Sequence, residues 1–164
     1  MPGSLPDKKR VLAQIVESLQ AELASLTEAA RAAREAATHE ESKPEDQYDT
    51  RGLEASYLAG AQAERALQVQ RMITYFRELA AESSAAGGVI APGALVELES
   101  GGKKLRYLLA AMGGGISVSV DGLTLSVITP QAPLGETLAG ARAGDEIEVE
   151  TQGAVREYRI LAAD

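Results

Sequence analysis

The sequence predicts an α+β protein in which an antiparallel helical hairpin (a coiled coil) precedes a small β-rich domain. Two observations carry this prediction. Up to residue 82 the apolar residues recur at alternating spacings of three and four, which is typical of packed helices. From residue 89 to residue 164 short alternating runs are separated by glycines, which is typical of strands and turns. Residues 83–88 contain only Ser, Ala and Gly and indicate a linker.

Each predicted helix carries an apolar seam, the line of residues that would face the other helix. Side-chain size decreases along the first seam and increases along the second, so the two seams taper in opposite directions. The first narrows from large residues to alanine: Leu12, Val16, Leu19, Leu23, Leu26, Ala30, Ala33 and Ala37. The second begins with small residues and ends with bulky ones: Ala55, Ala59, Gln62, Ala66, Val69, Ile73, Phe76 and Ala80. Either seam alone would also serve a coiled coil between chains. The matched tapers and the short connection favour a hairpin within one chain.

The predicted turn between the helices spans residues 39–49 and is acidic. Pro44 cannot lie inside a continuing helix but suits the first turn of a new one. Glu45 and Asp46 follow it, where negative charge favours a helix N-terminus. A solvated turn is the plain interpretation of such a charge cluster. Tyr57, early in the second helix, is expected either to pack across the hairpin or to contact a partner.

The second domain is predicted to contain six strands and one helix. The strands are Ala94–Glu99, Lys104–Ala111, Ile116–Val120, Leu123–Ile128, Glu146–Thr151 and Arg156–Leu161. Asp121-Gly122 between two alternating apolar runs is a strong signal for a two-residue hairpin. The helix is predicted over Pro133–Arg142. Lys103, Lys104 and Arg106 form a compact basic cluster that is either a solvated strand end or a partner contact.

Composition excludes several classes of protein. The net charge of −8 argues against a protein that wraps DNA or RNA, because neutralising phosphates requires an excess of Lys and Arg. The chain has no cysteine and one histidine, His39, so thiolate chemistry, a structural zinc site and a histidine-based triad are not expected. No run approaches the ~18–20 apolar residues of a membrane span, and no signal peptide is recognisable. We therefore expect a cytoplasmic monomer without membrane or sequence-specific nucleic-acid contacts.

The stretch from Pro133 to Val149 reads PLGETLAGARAGDEIEV and follows a predicted strand containing Leu125-Ser126-Val127. In this it resembles the C-terminal motif of the Gre family of bacterial transcription elongation factors. The segments Glu45–Tyr48 and Gly60–Arg65 are similar to motifs of the family's hairpin. The resemblance extends over the whole architecture and implies that the second domain is FKBP-like.

The resemblance implies a transcription elongation regulator that binds bacterial RNA polymerase and inserts the tip of its coiled coil into the secondary channel. Two tip acids of the family help to hold a second Mg²⁺ in the polymerase active site for transcript cleavage. Aligning on Tyr48 places Glu41 where the family has its tip Asp, and Pro44 where the family has its Glu. Glu41, Glu45 and Asp46 are thus the candidate catalytic acids, with Glu41 and Glu45 as ligands of the shared Mg²⁺.

By the same resemblance, the candidate partner-binding residues are Tyr48, Asp49, Pro133, Leu134, Gly135, Gly144 and Asp145. The protein is expected to have no cofactor of its own and not to be an enzyme; at most it assists the RNA cleavage of the polymerase. Three alternatives remain open. The first is a channel binder without cleavage activity that inhibits or competes, and the second is a non-catalytic coiled-coil adaptor. The third is a prolyl isomerase, although the second domain has only Tyr107 and Tyr158 as aromatic residues.

Overall fold

The computed structural model describes residues 5–38, 51–81 and 88–164. The predicted tip lies outside the described residues, and with it Glu41, Glu45, Asp46, Tyr48 and Asp49. Nearly all of the predicted linker lies outside them as well. Within the described residues two long helices precede six strands, with one short helix among the strands. The predicted α+β fold class is confirmed.

Two helices of equal length form the N-terminal half. Helix α1 spans Lys8–Thr38 and helix α2 spans Arg51–Ala81, with 31 residues each, which corresponds to about 46 Å of helix. At their midpoints Glu22 and Arg65 form an ion pair of 3.0 Å. Many of the predicted seam positions are buried, namely Leu12, Leu19, Ala30 and Ala33 on α1 and Val69, Ile73 and Phe76 on α2. The structure describes no helix that is long and apolar enough to cross a membrane.

The chain divides into two compact units. Residues 16–74 form the helix-pair unit, while residues 1–15 and 75–164 form the sheet unit. The beginning of α1 and the end of α2 thus belong to the same unit, as an antiparallel pair requires. The predicted domain boundaries at 82 and 89 stay a prediction.

The sheet unit is built on a six-stranded mixed sheet. Its strands are β1 Leu95–Ser100, β2 Lys103–Leu109, β3 Ser117–Val120, β4 Leu123–Ile128, β5 Glu146–Thr151 and β6 Ala154–Ala163. The spatial order is β3-β4-β2-β1-β6-β5. Strands β2 and β4 run parallel, and every other neighbouring pair is antiparallel. All six predicted strands are present, and Asp121 and Gly122 form the predicted tight turn with positive φ at both residues.

The short helix α3 spans Pro133–Leu138, so the prediction that it continues to Arg142 is wrong. Ala139 has extended backbone angles, with φ −62° and ψ 122°, and Gly140 follows with φ +87°. The backbone after α3 is hydrogen-bonded to the segment that precedes β1, because the Gly140 N–H donates to the Ile90 carbonyl at 2.8 Å. The helix therefore ends at a left-handed glycine, and a tertiary hydrogen bond holds that glycine in place.

One face of the sheet and the loop after β2 make different packing contacts. One face forms the core with α3 and includes Ile90, Val96, Leu98, Leu109, Leu134, Leu138, Val149, Tyr158 and Ile160. The end of α2 contacts the loop after β2. There the Tyr75 hydroxyl accepts a hydrogen bond from the Ala111 N–H at 2.8 Å. The Phe76 ring lies so close to Gly113 that a Cβ atom there would be 2.9 Å from it.

Candidate functional site

Helix α3 anchors the Pro133–Val149 stretch to the core of the sheet unit. The first helical residue is a proline, whose missing N–H is not needed at that position. Leu134 and Leu138 lie four residues apart and are both buried. Gly135 is also buried and lies against the Thr129 carbonyl, where any side chain would collide with backbone. These residue types are therefore required by packing.

A tight turn at Gly144 and Asp145 joins α3 to β5. Gly144 has φ +95°, in the region that glycine favours, and its N–H donates to the Ile160 carbonyl at 2.8 Å. The Asp145 carboxylate accepts a hydrogen bond from the Arg142 N–H at 2.8 Å. The Asp145 carbonyl accepts another from the Ile160 N–H at 2.9 Å. The turn thereby holds the start of β5 beside β6.

The five predicted partner-binding residues of this stretch differ in accessibility. Leu134 and Gly135 are buried, whereas Pro133, Gly144 and Asp145 are exposed. A partner that docks on the surface of this unit therefore meets only the last three. Contact with a partner stays a prediction for all five residues.

The central strands contain a buried ion pair that the sequence analysis missed. Glu97 on β1 is 0% exposed, and its Oε2 lies 2.8 Å from Nη2 of Arg106, its direct neighbour on β2. Nζ of Lys104 lies farther away, 3.7 Å from Oε1. Among the described residues no well-aligned hydrogen bond reaches the carboxylate. Attraction between the charges therefore stabilises the buried carboxylate.

This pair changes the interpretation of the predicted basic cluster. Lys103 and Lys104 are exposed, whereas the side chain of Arg106 is only 16% exposed and faces Glu97. Arg106 is consequently a largely buried residue that pairs with Glu97. Only the two lysines remain as candidates for the predicted partner contact.

The β5 end of the sheet carries an acidic surface. Glu146 lies beside Arg159 across the strands, with 3.1 Å between Oε1 and Nη2, while Glu148 lies beside Glu157. A cavity of about 470 Å³ opens here, and its lining includes Glu99 and these three glutamates. Within the part of the chain that the structure describes, no group of three or more acidic or histidine side chains converges to hold a metal. The surface is thus acidic without being a metal centre.

Tyr107 and Tyr158 do not form an apolar binding pocket. Both pack with the core, Tyr158 buried and Tyr107 partly buried. Burial raises the pKa of Tyr107, nearby Tyr158 adds to the rise, and Arg156 opposes it. Four of the nine residues that line the cavity beside Tyr158 are glutamates, whereas a prolyl isomerase requires an apolar pocket. The geometry therefore does not favour that alternative.

Helix α2 exposes large apolar side chains. Tyr57 is 71% exposed, and Leu53, Leu58 and Leu67 are each between 53% and 56% exposed. No large apolar side chain in the described part of α1 is exposed to this extent. Tyr57 therefore does not pack across the hairpin, which leaves partner contact as the remaining expectation for this residue.

Comparison with known proteins places the chain among bacterial transcription factors. The family described as "Transcription elongation factor, GreA/GreB, C-term" matches residues 85–164. The transcription inhibitor protein Gfh1 of Thermus thermophilus is 31% identical over 117 residues, which cover 71% of this chain and 72% of that relative. Among solved structures, Gfh1 of Thermus aquaticus covers 92% of both chains at 24% identity, with a TM-score of 0.38. A GreA/GreB factor of Nitrosomonas europaea covers 63% of this chain and 91% of its own at 20% identity, with a TM-score of 0.35.

Proposed function

This chain belongs to the GreA/GreB family of transcription elongation factors, and we propose that it binds bacterial RNA polymerase and regulates it through the secondary channel. In this proposal the helix pair enters the channel, and exposed residues of the sheet unit contact the rim. The protein acts on the polymerase without being an enzyme or carrying a cofactor of its own. It works in the cytoplasm as a monomer.

The observation that carries the proposal is the helix pair. Each helix provides about 46 Å of length, and the pair is stabilised by buried seam residues and by the central Glu22–Arg65 ion pair. An acidic segment joins the two helices in the sequence. A chain with a net charge of −8 is repelled by nucleic acid. It can still be attracted to a nucleic-acid enzyme through the basic surfaces of that enzyme.

We further propose that binding inhibits transcription. Two features support inhibition over cleavage. The Thermus thermophilus relative is named a transcription inhibitor. In addition, Pro44 occupies the position where the family resemblance calls for a carboxylate, and a proline side chain has no oxygen with which to bind a cation.

The second candidate function is stimulation of transcript cleavage. It is favoured by the acids at Glu41, Glu45 and Asp46 in the predicted tip. Under this candidate, Glu41 and Glu45 hold a Mg²⁺ that is shared with the polymerase active site. Such an ion would supply positive charge that activates water.

Backtracked elongation complexes distinguish the two candidates. RNA extension and RNA cleavage are measured with the wild type and with Glu41→Ala, Glu45→Ala and Asp46→Ala, and Glu17→Ala serves as a control in an exposed acid of α1. Inhibition predicts slower extension and no cleavage above the rate without the protein. The second candidate would be established if the wild type stimulates RNA cleavage, one tip variant abolishes this stimulation and the Glu17→Ala control retains it. No effect on either reaction, together with no co-migration with core polymerase, would refute both.

A further inference from the structure

The buried side chains of the helix-pair unit are unevenly distributed along its length. We call residues 23–38 of α1 and 51–64 of α2 the distal part, and residues 16–22 and 65–74 the basal part. The basal part buries four large side chains: Leu19, Val69, Met72 and Ile73. Among the described side chains of the distal part, the buried ones are two alanines: Ala30 and Ala33. Since apolar packing supplies most of the stability of a protein helix, the two helices are held together mainly in the basal part.

The large apolar side chains of the distal part do not make up this difference. On α2 three of them are each more than half exposed: Leu53, Tyr57 and Leu58. On α1 two of them are only partly buried: Leu23 and Leu26. The Glu22–Arg65 ion pair lies at the boundary between the two parts, and because both side chains are exposed to water its contribution is modest. The distal part of α2 is therefore weakly attached to α1.

The distal part of α1 has features that stabilise it as a single helix. Seven of its sixteen residues are alanine, the residue with the highest helix propensity. Arg31 forms ion pairs with Glu28, three residues before it, and with Glu35, four residues after it, each with 2.6 Å between nitrogen and oxygen. Pairs at this spacing stabilise a helix from within. These contributions persist when no second helix is packed against α1.

The distal part of α2, in contrast, is weakened by glycine. Two of its fourteen residues are glycine, Gly52 and Gly60. Gly60 is exposed, a Cβ atom placed on it would meet nothing within 4 Å, and its φ is not positive. Neither a turn nor a close contact within the described residues thus requires glycine at this position, and there it lowers the stability of the helix. Without α1 beside it, the distal part of α2 is the less stable of the two helices.

We infer that the distal part opens as a separate unit of low stability, in which α2 detaches from α1 and loses its helix while α1 remains helical. Both helices continue from the basal part, so neither has to be nucleated, and each persists or melts according to its own residues. Opening uncovers the seam of α1 at Ala30 and Ala33. The chain thus has two states with different surfaces, between which a partner can select. This inference follows from packing within the chain and does not rest on the proposed function.

Hydrogen exchange of the backbone amides of the full chain, followed by nuclear magnetic resonance, tests the inference. The amides of residues 57–64 of α2 should exchange at least about a hundredfold faster than those of residues 69–74, and those of residues 29–38 of α1 at an intermediate rate. Low concentrations of urea should accelerate exchange at residues 69–74. They should leave exchange at residues 57–64 nearly unchanged, because a local opening exposes little surface.

Two variants show whether the distal part of α2 opens by itself. Gly60→Ala should slow exchange at residues 57–64 about fivefold, because alanine favours the helix. Ile73→Val, in the basal part, should accelerate exchange at residues 69–74 about fivefold and leave residues 57–64 within about twofold of the wild type. The inference is overturned if Ile73→Val accelerates both sets of amides equally, since the helix pair would then unfold as one unit.

A third variant shows whether α1 stays helical in the open state. Arg31→Gln removes both ion pairs and should accelerate exchange at residues 29–38 about threefold. Exchange at residues 57–64 should not change, because α1 is equally helical whether α2 is attached or detached. Equal acceleration at residues 57–64 would overturn the inference, since both helices would then melt together. All of these outcomes are independent of whether the protein binds RNA polymerase.

Discussion

Replacing Glu97 by glutamine tests whether the sheet unit depends on its buried charge pair. Glu97 is fully buried and the side chain of Arg106 is 16% exposed, so both charges are largely removed from water. Deleting one partner of a buried pair costs about 3–5 kcal/mol because the other charge stays buried and uncompensated. Glu97→Gln removes the carboxylate charge that faces the Arg106 guanidinium, and since Arg106 retains some access to water we expect a loss of about 3 kcal/mol.

The reciprocal variant should be more severe. Arg106→Met leaves the fully buried Glu97 carboxylate with its more distant partner Lys104, at 3.7 Å. The expected loss is therefore about 5 kcal/mol, at the upper end of the range for a broken buried pair. The double variant Glu97→Met with Arg106→Met removes both charges and should return to within about 1 kcal/mol of the wild type.

Chemical denaturation followed by far-ultraviolet circular dichroism measures these free energies of unfolding, since the chain has no tryptophan to report by fluorescence. Glu99→Gln is the control, because Glu99 lies on the same strand and the same face but is only partly buried. It should change stability by no more than about 0.5 kcal/mol. The reasoning is refuted if Glu97→Gln is as mild as Glu99→Gln, or if the double variant is no more stable than the worse single variant.

Three further predictions concern the sheet unit. Gly135→Ala should lower the free energy of unfolding by about 3 kcal/mol, since the new methyl group collides with a backbone carbonyl; denaturation curves that match the wild type would contradict this. Lys8→Met should raise the melting temperature at pH 7, because burial lowers the pKa of Lys8 below its usual 10.5 against the opposing attraction of Asp164. The gain should shrink as pH rises towards 10.5, because the wild type then folds with a neutral amine, and melting curves across pH measure it. Tyr75→Phe removes the hydroxyl bonded to the Ala111 N–H and should cost about 1 kcal/mol in the same denaturation assay.

The helices and strands follow from spacing alone, whereas their ends depend on tertiary contacts. The alternation of three and four identified both helices, and glycine punctuation identified all six strands. The end of α3 has a local signal that the sequence analysis missed, because Gly140 lies two residues after Leu138 and glycine at that position commonly ends a helix. What the sequence could not show is the hydrogen bond from the Gly140 N–H to the carbonyl of Ile90, a residue far away in sequence, which fixes this end in place.

The site was predictable only in part, for a similar reason. Alternation along β1 assigns Glu97 to a polar face, but whether that face is covered depends on elements distant in sequence. Arg106 was therefore grouped with the exposed lysines, although its neighbour across the strands is a buried carboxylate.

The buried carboxylate of Glu97 also has a consequence for the chain while it is being synthesised. Strand β1 pairs with β2 on one side and with β6, the last strand of the sheet, on the other. Until β6 has left the ribosome, one edge of β1 has no partner, and Leu95, Val96 and Leu98 lie along it. Such an apolar edge recruits other strands and leads to aggregation, and a charge within it prevents this. Glu97 interrupts the run while it is still in water, so a residue that requires a charged partner in the folded sheet protects the unfinished one.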